Sequence, residues 1–236
     1  MTKGKAKTKK HNIRHKWKLG VDELATKHFD VSSNAELIVR EGNYQYNIHD
    51  LVKRFGTPLE IVFPFVIEER LNELINTFKY YIRLNKYRGK FYFHYPMKVN
   101  QNKEFVLPIV SEGAHIEVGS VNELWIVKRM WEQEQFSRQI KVICNGPKTN
   151  KYLGLIYELK QKGLDIVPII EDRYELDSLK EYRGELGIRI DPEIKVQSHW
   201  DKRIDRFGFP GRELLDLGRI RNLKILHYHI GSQIIK

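Results

Sequence analysis

The chain has a single cysteine, Cys144, among 236 residues. A lone cysteine closes no internal disulfide, and nothing around it has the paired spacing of a zinc site, so a reducing compartment fits. No apolar run approaches the roughly 20 residues that span a bilayer. The opening stretch, MTKGKAKTKKHNIRHKWK, lacks the apolar core of a signal peptide, and the protein is expected in the cytoplasm with no membrane partner. There is no GxGxxG and no P-loop, so neither glycine-rich phosphate motif argues for a nucleotide fold.

Acidic residues are missing altogether from residues 1–18, which hold eight of the eleven net positive charges: Lys3, Lys5, Lys7, Lys9, Lys10, Arg14, Lys16 and Lys18. The remainder is close to balanced. A flexible basic tail can touch nucleic acid through phosphates, but no interleaved aromatics and no binding module follow it. Residues 1–18 therefore read as a solvated, disordered extension, and nucleic acid is not the expected partner.

What is present is an alternation. Residues 19–56 form a mixed lead-in with turn signals at Glu41-Gly42-Asn43 and Phe55-Gly56-Thr57-Pro58. From residue 57 to 236 short β-rich runs alternate with helical periods. Leu59–Phe63 is the first such run, and Ile67, Leu71, Leu74, Ile75, Phe78 and Ile82 then mark one face of a helix. Further strands are expected at Lys90–Tyr95, His115–Val118, Gln139–Cys144, Asp165–Ile170, Leu186–Ile190 and Lys224–Ile230. A mixed segment occupies 102–112, and helices are expected at Val121–Trp131, Lys151–Lys162, Arg173–Glu181 and Arg212–Leu217. Such alternation argues for an α/β fold with a parallel sheet, and both a closed barrel and an open doubly wound sheet satisfy it. Polar residues collect just after the strands, at Lys98, Glu117, Asn145, Glu171, Arg189 and His229, where sites lie in either architecture.

Three segments could carry chemistry. Tyr95-Pro96-Met97-Lys98 puts a lysine at the mouth of the aromatic strand Phe91-Tyr92-Phe93-His94-Tyr95. A lysine desolvated by such a wall loses some preference for its charged form and gains nucleophilic or imine chemistry. Taken alone, a lysine there is more often a solvated rim residue. Glu117-Val118-Gly119-Ser120, with Glu123, offers two carboxylates and a small-residue turn, a pattern that is also a simple capping box. His227-Tyr228-His229-Ile230-Gly231-Ser232 supplies two histidines at i and i+2, without a third ligand at fixed spacing for a metal. A flat imidazole followed by a Gly-Ser turn suits stacking on a planar cofactor and binding an anion. Arg189 can bring positive charge to the same mouth.

These segments in register resemble one family. YPMKVNQ at 95–101 resembles the YPIKVNQ cofactor-lysine segment of biosynthetic arginine decarboxylases, EVGSVNEL at 117–124 their EAGSKPEL, and ICNGPK at 143–148 their VCNGYK. IIEDRYEL, LGIR and LHYHIGSQI follow in the family's order, so the likeness runs from Gly56 to Ile234. It implies an alanine-racemase-like (TIM) β/α barrel, incomplete here with about seven of the eight strands. It also implies decarboxylation of arginine to agmatine, a step of arginine catabolism leading towards polyamines and spermidine. Lys98 would carry pyridoxal 5′-phosphate covalently, His229 would stack on its ring, and Ser232 would contact its phosphate. Glu117, Glu123 and Arg189 match positions around the cofactor, and magnesium enters by resemblance alone.

The departures shape the remaining expectations. The family's glycine-rich phosphate loop, its EPGR-type segment and its C-terminal β domain are not found, and Pro147 replaces a common tyrosine. The chain is therefore expected to be an N-terminal fragment or one part of a split gene, inactive alone, and to form a homo-oligomer or join a complementing C-terminal chain. Diaminopimelate or another basic amino acid is the alternative substrate. A non-catalytic homologue that binds pyridoxal phosphate is the alternative class.

Overall fold

The computed structural model describes residues 28–133, 139–194, 208–231 and 234. The basic extension at 1–18 and Ser232 lie outside the described residues. The chain divides into two compact units, Met1–Val66 and Ile67–Lys236.

In the first unit β1 (Phe29–Val31), β2 (Leu37–Glu41) and β3 (Tyr44–Asn47) make an antiparallel sheet in sequence order. The β2–β3 hairpin closes over two residues, and Gly42 takes the positive φ of +54° that a tight hairpin turn needs. Helix α1 (Ile48–Phe55) is capped by the Asn47 side chain, which accepts from the His49 amide at 2.9 Å, and it stops at Gly56. The strand expected at Leu59–Phe63 does not form. A β-run becomes a strand only with a ladder partner. Here the segment is held by side chains instead, with the Phe63 ring against Tyr46 and Phe65.

Helix α2 (Pro64–Leu84) leads into the second unit, where β4 (His94–Pro96), β5 (His115–Val118), β6 (Lys141–Cys144), β7 (Asp165–Ile170), β8 (Leu186–Asp191) and β10 (Leu223–His227) lie side by side in chain order. A seventh strand, β9 (Phe209–Pro210), pairs with β8. All pairings in this sheet are parallel. Among the described residues the order never reverses, so there is no switch point of the doubly wound kind; successive crossovers in one direction are the winding of a barrel. Among the described residues β4 and β10 are edges and the barrel is not closed. The seven strands are therefore not the seven expected: Phe209–Pro210 takes the place of Leu59–Phe63.

The crossovers are α3 (Lys103–Ser111), α4 (Val121–Glu132), α5 (Asn150–Gln161), α6 (Arg173–Ser178) and α7 (Gly211–Asp216). The segment at 102–112, read as mixed, is helix α3. Its Pro108 masks the helical signal, because proline deletes an interior hydrogen bond. The central strands β6, β7 and β8 are buried on both faces, as parallel strands are. Ile116, Val142, Ile166 and Ile188 pack with helix residues Leu124, Ile156 and Leu159 in the main core, while Ile143, Val167 and Ile169 form a smaller cluster with Ile225. Ile166 and Val167 alternate between the two clusters, which is the period of two made visible.

Candidate active site

One end of the sheet opens into a cavity of about 500 Å³, lined by residues that include Lys98, Glu117, Glu123, Asn145, Arg189, His227 and His229. It lies at the carboxyl ends of β4, β5, β6, β8 and β10, and its volume is that of a small-molecule site. The ladder sets the lysine in place. Beyond β4 the Met97 amide still donates to Glu117 O at 2.9 Å, and the Val99 amide then donates to Pro96 O at 3.1 Å, so Lys98 rides on a turn at the mouth. The expected desolvation of Lys98 is not found: its side chain is exposed. Successive strand residues face opposite ways, and Tyr95 is buried in the main core with its hydroxyl on Asn100 O at 3.0 Å. The Tyr95 ring is therefore engaged in the core and does not cover the exposed lysine.

The turn after β5 does double work. Ser120 caps α4, its hydroxyl accepting from the Glu123 amide at 3.3 Å, and Glu123 Oε2 accepts from the Gly119 amide at 2.7 Å. This is the capping reading of that segment, displaced by one residue from the usual reciprocal box. Glu123 nevertheless lines the cavity beside Glu117, so capping fixes where its carboxylate stands. Arg189 is held from behind, with Nη1 3.3 Å from Glu171 Oε1.

His227 and Asn145, each singled out in the sequence by position alone, meet in the lining. Asn145 Nδ2 lies 3.4 Å from His227 Nε2. Burial, then the charges of Arg189, His229, Lys148 and Lys98, push the His227 imidazole down to about 4, so it is neutral near pH 7. Asn145 Oδ1, His227 Nδ1 and Glu171 Oε2 are buried without hydrogen-bond partners among the described residues.

The donor set agrees with pyridoxal phosphate. A primary amine for an aldehyde, a half-buried imidazole for a flat ring, an arginine and two carboxylates surround the cavity. Among the described residues there is no group of three His, Cys, Asp or Glu side chains that could hold a metal ion. Cys144 is buried and its thiol is pushed up to about 12 by desolvation, which makes it inert as a nucleophile. No helix among the described residues is long and apolar enough to cross a membrane.

Comparison with known proteins points the same way. The chain is 29% identical to a biosynthetic arginine decarboxylase of Rhodopirellula baltica over 91% of its length, and 29% identical over 91% to one of Prochlorococcus marinus. It spans only 36% and 37% of the length of those relatives. Among solved structures, the biosynthetic arginine decarboxylase of Campylobacter jejuni matches with a TM-score of 0.70 and 21% identity, over 91% of this chain and 37% of that one. A diaminopimelate decarboxylase from M. jannaschi matches with a TM-score of 0.66 and 21% identity, over 90% of this chain and 50% of that one. At such identities the structures speak for the fold, which is the incomplete α/β barrel the resemblance implied. Residues 71–236 match the family described as pyridoxal-dependent decarboxylase, pyridoxal binding domain. That match takes in the whole cavity lining and more than half of the chain, and the chain belongs to the pyridoxal-dependent decarboxylase family.

Proposed function

We propose that this chain is the cofactor-binding part of an arginine decarboxylase, forming agmatine from arginine, with Lys98 as the point of covalent attachment. The carrying observation is the cavity itself, which brings Lys98, Arg189 and His229 together with two carboxylates from five strand ends. Arginine is chosen as substrate because the curated relatives above are named for it. When bound, pyridoxal phosphate supplies an electron sink for the carbanion left by departing carbon dioxide.

The chain's own residues supply position and charge. Lys98, on its turn, presents an amine to the cavity without crossing a hydrophobic barrier. His229, half-buried beyond the end of β10, offers a flat face to a ring. Arg189 is fixed by Glu171 and brings positive charge to the inner side of the mouth. Glu117 and Glu123 surround the amine side with negative charge, which favours a cation such as a basic substrate. Ser232, beside Gly231, is the proposed phosphate contact. A role in polyamine and spermidine formation, a cytoplasmic location and assembly with a further chain or a second copy belong to the same proposal.

Two measurements test it. Borohydride reduction after incubation with pyridoxal phosphate, followed by peptide mapping, should place the label on Lys98; a label spread over the lysines of residues 1–18 would sink the assignment. Release of labelled carbon dioxide is then compared for arginine, diaminopimelate, lysine and ornithine. The chain is assayed alone and together with the C-terminal segment of a related full-length enzyme. Arginine should be preferred; silence with every substrate in both conditions would leave a binding protein.

A further inference from the structure

Behind the cavity lies an ion pair that the functional reading does not use. Lys148 and Glu175 have side chains 0% and 2% exposed, with Lys148 Nζ 3.1 Å from Glu175 Oε2. Lys148 Nζ also donates to Gly146 O at 2.8 Å. Glu175 Oε1 accepts from the Lys148 amide at 2.9 Å, and its Oε2 accepts from the Glu171 amide at 2.9 Å. One carboxylate thus holds the backbone after β6 and the backbone after β7 at once.

The chain of contacts continues to the cavity wall. Glu171 Oε1 accepts from the Gly146 amide at 2.9 Å and from Arg189 Nη1 at 3.3 Å. The peptides flanking Gly146 are therefore gripped on both sides, its N–H by Glu171 and its C=O by Lys148. Gly146 has φ +75°, and a Cβ there would stand 2.3 Å from Gly119 O, so the loops after β5 and β6 touch at this point with no room to slide. Asn145, Gly146, Pro147, Gly119 and Arg189 all line the cavity. Lys148 and Arg189 stand at the two ends of this series with the carboxylates Glu175 and Glu171 between them, so its four charges sum to zero.

A buried pair of this kind is weak support for stability as such, because desolvating two charges offsets their attraction. What it does supply is geometry, since each charge satisfies several backbone groups that would otherwise be free to turn. We propose that Lys148 and Glu175, which do not line the cavity themselves, are positioning residues that fix Gly146 and, through Glu171, Arg189 in the cavity wall before any ligand arrives. The consequence for pyridoxal phosphate rests on the reading of the cavity given above; the positioning itself does not.

The test uses the whole chain, with Lys148→Met and the double variant Lys148→Met/Glu175→Gln. The single change strands a buried carboxylate and lowers the thermal midpoint, whereas the double change removes both charges and recovers most of it. Hydrogen exchange is then read in the ligand-free double variant. The Gly146 amide should exchange about tenfold faster than in the parent while the amides of β6 hold their rates, the mark of a local opening. Pyridoxal phosphate affinity, followed by its absorbance, should fall by about tenfold in the same variant. Unchanged exchange at Gly146, or equal acceleration throughout β6, would overturn the proposal, the latter showing a purely structural pair. If the parent takes up no pyridoxal phosphate at Lys98, the reading of the cavity fails, and the exchange result still decides the positioning.

Discussion

Strands β7 and β10 are both parallel members of one sheet, yet five of the six residues of β7 are buried and none of the five in β10 is. β7 pairs with strands on both sides and is covered by helices, so it reads as a continuous apolar run, Ile166-Val167-Pro168-Ile169-Ile170. β10 pairs with β8 alone among the described residues, and Leu226 is 59% exposed at its end. The same kind of strand is thus a stability element at the centre and an open flank at the edge. The cavity joins them: Asn145 and Arg189 come from the buried centre, His227 and His229 from the flank.

The sharpest break of this contrast is a cavity in the centre. Ile166→Ala, at a side chain with no exposure, should cost about 2–5 kcal/mol in a denaturant titration. Overpacking is the next largest effect. A Cβ at Gly187 would stand 2.2 Å from Ile169 Cδ1, so Gly187→Ala should cost about 1–3 kcal/mol, and adding Ile169→Val, which removes that methyl, should return part of it.

The flank carries a pH dependence of its own. His227 titrates near 4 in the folded chain and near 6.5 when unfolded. Above about pH 6.5 it is neutral in both states and contributes nothing to the pH slope; as pH falls towards 4 the unfolded chain takes up the proton first, and stability drains away. Solvent screening of a partly exposed ring reduces the loss to about 1–2 kcal/mol. His227→Gln should flatten a plot of thermal midpoint against pH between 6.5 and 4 by that share. His94, also pushed down to about 4 by burial, should keep the remaining slope.

Smaller effects sharpen the comparison. Ser120→Ala removes the cap of α4 and should cost about 1 kcal/mol by thermal denaturation. Leu226→Ala should change stability by less than about 0.5 kcal/mol, because the side chain is already in water. A loss there as large as that of Ile166→Ala would show that the flank is covered in solution, and size-exclusion chromatography would then reveal the partner copy.

Much of the frame was legible in the residues. His115–Val118 and Asp165–Ile170 have the bounds the pattern predicts, because short apolar runs between turn signals leave little freedom. Leu59–Phe63 has an equally β-rich composition and is no strand, since composition does not reveal whether a partner is in reach. Of the site, Lys98, Glu117, Asn145, Arg189 and His229 were visible as polar residues after strands and Glu123 from the turn that follows β5, and the structure brings all six to one cavity, while Glu171, read with them, stands behind it on Arg189. Lys148 and Glu175 were not, because nothing local in either segment marks a charge as buried.

By itself the sequence determined the alternation of strand and helix, the parallel sheet that follows from it, and the motif around Lys98. These depend on periods of two and of 3.6 and on residues within a few places of one another. Only the tertiary structure decided that Lys98 is exposed while Tyr95 is buried, that Asn145 meets His227 across 82 residues, and that Lys148 finds Glu175 across 27. Such meetings are set by which strands are neighbours and in what register, and a chain read locally carries no record of either.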